Sequence, residues 1–173
     1  SNCYKHFTKQ GLDVIGTHFS YQAKDTVYFD TLNLENAANF DVRTFKPDVI
    51  VHCGALTHVD YCEQNEAESY EKTVVSTQNI ISLSNQLNAK LVFISTDYIF
   101  DGESGPYDEE AKSNPLSVYG RHKLEAEQAV LAASFNNLVL RITNVYGDEE
   151  RGKNFISRII EQIHEQKKLT LKL

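Results

Sequence analysis

The chain alternates short runs of apolar and β-branched residues with longer stretches of helical spacing. The short runs predict strands over 13–19, 26–29, 48–53, 90–95 and 137–143. Two of them, Val-Ile-Val at 49–51 and Leu-Val-Phe-Ile at 91–94, are continuously apolar. Continuous apolar runs are typical of strands that are buried on both faces. The pattern therefore predicts five strands in the core of a sheet.

Four other stretches have the periodicity or composition of helices. Residues 66–87, 117–133 and 154–165 place apolar side chains at helical spacing, and residues 1–10 resemble the later part of a helix that ends at Gly11. The apolar positions of the three periodic stretches are Ala67, Tyr70, Val74, Ile81 and Leu87, then Leu124, Val130 and Leu131, then Phe155, Ile159, Ile160 and Ile163.

Strand–helix–strand alternation predicts parallel strands joined by right-handed crossovers. We therefore predict an α/β fold with a doubly wound, Rossmann-like parallel sheet that binds its ligand at the carboxyl ends of the strands. Such a sheet opens with a strand and a glycine-rich phosphate loop, and the printed chain contains no G-x-G-x-x-G. We expect this first strand and loop to be missing from the chain. Residues 1–147 would form the nucleotide-binding domain, and 148–173 would begin a substrate-binding part.

Composition narrows the class of protein. The chain has 173 residues, 41% of them hydrophobic and 24% charged, which suits one globular domain. A net charge of −7 disfavours a nucleic-acid partner, and no apolar run approaches the ~20 residues of a membrane span. Three cysteines are too few for a disulfide framework. These features predict a cytoplasmic protein with neither a nucleic-acid nor a membrane partner.

Candidate chemistry begins with Tyr119 and Lys123, which lie four residues apart on a predicted helix and share one face. An ammonium group beside a phenol lowers its pKa and makes it a better proton donor. The same spacing also arises by chance, with a surface tyrosine packed on a lysine stem. Thr96 directly follows the predicted strand 90–95, at the sheet edge where ligands bind.

Two segments extend this pattern. Residues 94–102 read Ile-Ser-Thr-Asp-Tyr-Ile-Phe-Asp-Gly, and residues 114–124 read Asn-Pro-Leu-Ser-Val-Tyr-Gly-Arg-His-Lys-Leu. Together with 47–55, 59–60, 140–141, 145–147 and 152–155 they resemble, in register, the extended short-chain dehydrogenases/reductases. Within that family they most resemble the dTDP-4-dehydrorhamnose reductases.

The resemblance implies a role for each matching residue. Tyr119 would protonate the substrate carbonyl as hydride arrives from a nicotinamide, while Thr96 donates to the same oxygen. Lys123 would hold the nicotinamide ribose and lower the pKa of Tyr119. The implied substrate residues are Thr96, Asp97 and Asn144, the last standing where the reductases carry a tryptophan. The implied cofactor residues are Thr17, His18, Asn33, Leu34, Cys53, Gly54, Ala55, Tyr119 and Lys123.

The implied activity is NADPH-dependent reduction of a nucleotide-linked 4-keto-6-deoxy sugar, dTDP-4-dehydrorhamnose, to dTDP-L-rhamnose. Thr17-His18 replaces the acidic residue that would hold a ribose 2′-hydroxyl, which favours NADPH and leaves NADH open. Two alternatives stand beside this activity. One is another sugar-nucleotide epimerase or dehydratase of the same family. The other is a regulatory subunit resembling the beta subunit of methionine adenosyltransferase. A homodimer is compatible with each.

Three further groups have simpler interpretations. His52, Cys53, His58 and Cys62 resemble a metal set, but neighbouring strand residues point to opposite faces, so no metal is expected. Arg141 either pairs with a carboxylate or shapes the pocket. His122 is expected to be exposed.

Overall fold

The computed structural model describes residues 2–35, 40–145, 159–160 and 163–164. Its strands are β1 (Gly16–His18), β2 (Thr26–Tyr28), β3 (Val49–His52), β4 (Lys90–Thr96) and β5 (Leu138–Ile142). Its helices are α1 (Asn2–Lys9), α2 (Val42–Phe45), α3 (Val59–Gln64), α4 (Glu66–Tyr70), α5 (Ser76–Leu87) and α6 (Val118–Ala133). A π-helical turn, Glu71–Val75, joins α4 to α5, and a 3₁₀ turn, Asp97–Ile99, follows β4. The five predicted strands and the helices over 1–10, 66–87 and 117–133 are confirmed.

All strand pairs in the described residues are parallel, and the chain is an α/β protein. β1 pairs with β2, and β4 lies between β3 and β5. The loop after β2 is bonded to α5, since Thr31 Oγ1 hydrogen-bonds Ser76 Oγ at 2.8 Å and Asn79 Nδ2 donates to Thr31 O at 2.9 Å. Because β3, β4 and β5 pair in parallel, their carboxyl ends lie side by side, as the predicted fold requires.

The core lies on one face of the larger sheet, where α5 and α6 pack. Its buried residues are Phe29, Val42, Ile80, Leu83, Leu91, Phe93, Ala126 and Val130. The register places Val49, Val51, Leu138, Leu140 and Ile142 on the opposite face, where they are 38–50% exposed. The expectation that the strands are buried on both faces is therefore wrong for β3 and β5, the outer strands of this sheet. Within the described residues, α5 and α6 cover only one of its faces.

Helix 66–87 forms as predicted, but its buried face differs from the apolar one. Val74 is buried, whereas Ala67 and Tyr70 are exposed. Small polar side chains of this stretch are buried instead. These are Ser69, Thr73, Ser76, Thr77 and Ser84.

Helix α6 begins where its sequence predicts, because Ser117 Oγ caps it by accepting from Gly120 N at 3.0 Å. His122 is buried, contrary to the expectation, and its Nδ1 hydrogen-bonds Ser69 Oγ at 2.9 Å. Leu131, in contrast, is half-exposed. The helix packs on α4 through a partly polar face, which apolar spacing alone does not identify.

The predicted helix 154–165 and the predicted boundary between 147 and 148 fall largely outside the described residues. Residues 159, 160, 163 and 164 are described and are helical. No helix in the described ranges is long and apolar enough to cross a membrane.

Candidate functional site

The two candidate hydroxyls meet at the carboxyl end of β4. Thr96 is the last residue of that strand, and Tyr119 is the second residue of α6. The Thr96 side chain interacts with the Tyr119 phenol and lowers its pKa. Tyr98 packs edge-on against Tyr119, with ring centroids 5.7 Å apart. The fold thus brings a hydroxyl and a phenol from distant segments to one point at the ligand-binding edge of the sheet.

The pKa of Tyr119 is raised, which reverses the direction predicted from the Tyr–Lys spacing. Burial is the main cause, and the charge of Asp97 adds to it, while Thr96 opposes it. The Lys123 ammonium instead donates to Ile94 O at 2.5 Å and lies 4.0 Å from the centre of the Phe93 ring. Lys123 therefore points toward the sheet, and the phenol stays protonated at neutral pH.

Lys123 is only 3% exposed, and burial lowers its pKa to about 8. Cys53 and Glu127 oppose this effect by favouring the charged form. Below pH 8 the ammonium is mostly charged, and it donates to Ile94 O two residues before the end of β4.

The pKa of Lys123 predicts how stability depends on pH. Because the folded pKa of about 8 lies below the ordinary value of 10.5, the unfolded chain binds more protons between these values. Stability from this group therefore rises with pH across that window, by at most about 1.4 kcal/mol per pH unit. Urea unfolding of the wild-type protein and of Lys123→Met from pH 7.5 to 10.5 measures it. Parallel curves for the two proteins would contradict the lowered pKa.

Three small residues, 53–55, follow β3 next to His52, which is neutral at pH 7. Burial, followed by the charge of Lys123, lowers the pKa of His52 to about 4, and its Nε2 hydrogen-bonds Thr77 Oγ1 at 3.2 Å. A Cβ on Gly54 would lie 3.1 Å from His52 Cε1, so a side chain there would press on the ring. Partial burial raises the pKa of the Cys53 thiol. Cys53, Gly54 and Ala55 follow β3 directly and line the sheet edge beside Lys123.

The other candidate cofactor residues lie at the end of β1 and in the loop after β2. Thr17 and His18 lie in β1, with His18 Nδ1 bonded to Thr26 Oγ1 at 2.8 Å. Asn33 and Leu34 lie in the loop after β2, where Leu34 packs against the core and Asn33 is exposed. Candidate residues thus lie at or within three residues of the carboxyl ends of β1, β3, β4 and β5, and Asn33 lies five residues beyond the end of β2.

The metal-like set is dispersed into separate contacts. His58 Nδ1 accepts from Tyr61 N at 3.1 Å and caps α3, while Cys62 Sγ donates to Leu56 O at 3.5 Å. Within the described ranges no group of three or more His, Cys, Asp or Glu side chains is placed to hold a metal ion.

The candidate substrate residues occupy two neighbouring loops. Asp97 opens the 3₁₀ turn and accepts from Thr96 Oγ1 at 3.2 Å through Oδ1. Asn144 is exposed two residues beyond β5. Arg141, left open by its sequence position, pairs with Glu127 and also donates to Glu109 O at 3.0 Å.

Close packing at Gly120 joins the Tyr119 helix to the turn after β4. A Cβ on Gly120 would lie 2.3 Å from Tyr98 O and 3.1 Å from Pro115 Cβ. We expect Gly120→Ala to destabilise the protein by about 1–3 kcal/mol, because the backbone must shift to relieve this contact. Urea unfolding measures the loss, with Gly105→Ala as the comparison, because a Cβ there would meet only Tyr107 ring atoms at the ordinary contact distances of 3.6 and 3.7 Å. Wild-type stability in Gly120→Ala would show that the two segments separate freely.

The sequence analysis assigned no role to two residues of this region. Glu127, buried in α6, holds Arg141, and Asp101 fastens the loop between β4 and α6 through three hydrogen bonds. Asp101 lies in the segment 94–102, but no pattern in the neighbouring sequence indicates that it bonds Tyr107 and Asn114.

Comparisons with known proteins show the family to which the chain belongs. The family profile described as RmlD substrate binding domain matches residues 1–172. Methionine adenosyltransferase 2 subunit beta of Xenopus tropicalis is 37% identical over 150 residues, which cover 86% of this chain and 44% of that protein. The chain thus spans less than half the length of this curated relative.

Two solved structures extend the likeness to the fold. A hypothetical dTDP-4-dehydrorhamnose reductase from Sulfolobus tokodaii superposes with a TM-score of 0.82 at 26% identity, over 96% of this chain and 58% of that chain. The dTDP-4-dehydrorhamnose reductase of Bacillus anthracis str. Ames, solved in complex with NADP, gives a TM-score of 0.67 at 33% identity. That match covers 72% of this chain and 44% of the other.

Proposed function

Because the chain belongs to the RmlD substrate-binding-domain family of extended short-chain dehydrogenases/reductases, we propose that the full-length protein reduces a nucleotide-linked 4-keto-6-deoxy sugar with NADPH. The product would be the corresponding 4-hydroxy sugar, dTDP-L-rhamnose when the substrate is dTDP-4-dehydrorhamnose. The observation that carries the proposal is the meeting of Thr96 and Tyr119 at the end of β4, beside Lys123.

The residues at the sheet edge fit a nicotinamide cofactor. Gly54 leaves the end of β3 free of a side chain, and Lys123, whose ammonium donates to Ile94 O in this structure, would turn toward the ribose hydroxyls when the cofactor binds. Thr17-His18 at the end of β1 brings no carboxylate against a 2′-phosphate, which favours NADPH. When bound, the cofactor supplies the hydride that reduces the carbonyl carbon.

Tyr119 and Thr96 then act on the carbonyl oxygen. As that oxygen gains negative charge, the Tyr119 phenol gives up its proton, and the new C–O–H is complete. The Thr96 hydroxyl, which donates to Asp97 Oδ1 in this structure, would turn to donate to the same oxygen and stabilise the developing charge. The raised pKa of Tyr119 keeps its proton in place at neutral pH until the oxygen becomes basic enough to take it.

The deciding experiment is NADPH oxidation by the full-length protein with dTDP-4-dehydrorhamnose, followed at 340 nm. We expect turnover and formation of dTDP-L-rhamnose in equal amount to the NADPH consumed. Failure to oxidise NADPH, together with tightly bound NAD that does not exchange, would contradict the reductase and indicate an epimerase or a dehydratase. The sugar and nucleotide are then identified by testing other 4-keto nucleotide sugars.

A second candidate function rests on the 37% identity to methionine adenosyltransferase 2 subunit beta over 86% of this chain. In that case the protein would bind a methionine adenosyltransferase catalytic subunit. Co-purification with the catalytic subunit of the same organism tests it. Stoichiometric recovery with no NADPH oxidation would favour the subunit over the reductase.

A further inference from the structure

One carboxylate fastens the loop between β4 and α6. Asp101 Oδ1 accepts from Tyr107 Oη at 2.6 Å and from Glu103 N at 3.0 Å, and Oδ2 accepts from Asn114 Nδ2 at 2.9 Å. These donors, the Tyr107 phenol first, lower the pKa of Asp101 to about 2. Both oxygens are thus engaged, and the carboxylate is ionised throughout the neutral range.

The Asp101–Asn114 contact joins the two segments that carry the candidate hydroxyls. Thr96 lies five residues before Asp101, and Tyr119 lies five residues after Asn114. A second bond, from Asn114 N to Ile99 O at 2.9 Å, runs beside the first. The two segments are therefore held together at the point where they leave the site.

Aromatic stacking supports the same loop from β5. The Phe100 and Tyr107 rings are parallel with centroids 4.3 Å apart, and the Arg141 guanidinium lies 5.5 Å from the Phe100 centroid. Tyr107, which donates to Asp101, is thus fixed in position. Its phenol can orient the carboxylate toward Asn114.

We propose that Asp101 is a positioning residue for the reductase reaction: by binding Asn114 it sets the distance between Thr96 and Tyr119. This inference rests on the proposed function, in which both hydroxyls must converge on one carbonyl oxygen. Asp101 itself contacts neither reacting atom. Misplacement of a catalytic group by about 1 Å can cost up to about 10²-fold in rate.

A pair of substitutions tests the contact in the full-length protein. In Asn114→Asp, two carboxylates face each other with no proton to donate across the contact, and kcat is expected to fall about 10- to 100-fold. The dissociation constant for NADPH should not change. Adding Asp101→Asn exchanges donor and acceptor across the contact and is expected to restore most of the lost kcat. Asp108→Asn, in the same loop, removes a carboxylate that accepts from Glu110 N alone in the described hydrogen bonds and should leave kcat unchanged.

A second readout does not require turnover. The Thr96 interaction lowers the pKa of Tyr119, so loosening it in Asn114→Asp is expected to raise that pKa, and the double variant is expected to return it. Ultraviolet titration against Tyr119→Phe isolates this phenol from the other tyrosines. Wild-type kcat in Asn114→Asp, an unrepaired double variant, or an unmoved phenol titration would overturn the inference. Absence of turnover by the wild-type protein would refute the proposed function, while the titration still decides the positioning role.

Discussion

Tyr119→Phe is expected to lower kcat for the sugar-nucleotide reduction by at least about 10²-fold, with a much smaller change in the affinity for NADPH. Removing a general acid typically costs 10²–10⁴-fold, because the developing oxyanion must then take its proton from water. The substitution keeps the ring that packs against Tyr98 and removes only the oxygen. Steady-state NADPH oxidation with the full-length protein measures the loss.

Tyr70→Phe is the matched control for this prediction. It removes a phenol oxygen that donates to Glu125 Oε1 at 3.0 Å on the exposed side of α4 and α6. We expect its kcat to equal that of the wild-type protein. Equal turnover in Tyr119→Phe and wild-type protein would show that Tyr119 is not the general acid of the reaction.

Arg141→Leu is expected to destabilise the fold by about 3–5 kcal/mol, the usual cost of breaking a buried ion pair from one side. Arg141 Nη2 lies 2.6 Å from Glu127 Oε1, and Nε lies 3.1 Å from the same oxygen. The Glu127 side chain is only 2% exposed, so without Arg141 its charge is buried and unpaired. Urea unfolding at pH 7 measures the difference.

Two further variants separate this cost from loss of arginine packing. Arg141→Leu combined with Glu127→Leu removes both charges and is expected to recover most of the stability. Arg43→Leu breaks the exposed pair with Glu35 and is expected to cost no more than about 1 kcal/mol. A deficit equal in the single and double variants would show that the charge of Glu127 is not its cause.

The strands and main helices could be predicted because their signals are local. Apolar β-branched runs recur at each strand, and Ser117 stands where a helix needs a cap. The π-helical turn at Glu71–Val75 carries no such signal. Ser69 and Thr73 are buried where Ala67 and Tyr70 were expected, because this segment packs on α6, where Ser69 Oγ hydrogen-bonds His122 Nδ1.

Motif resemblance identified the positions of the candidate site but not its electrostatics. Tyr119 and Lys123 do share a helix, yet four flexible side-chain bonds carry the ammonium to Ile94 O rather than toward the phenol. Whether a pKa rises or falls depends on desolvation by every neighbouring segment, and Tyr119 is surrounded by residues far from it in sequence.

By itself the sequence determined the α/β alternation, the parallel strands and the strand ends at which Thr96, Cys53 and Gly54 lie. These follow from backbone preferences and side-chain periodicity, which act over a few neighbouring residues. Only the tertiary structure decided which polar groups pair and which charges are desolvated, as in Glu127 with Arg141 and Asp101 with Asn114. Such pairs depend on how separate elements pack in space, and residue spacing along the chain does not specify that packing.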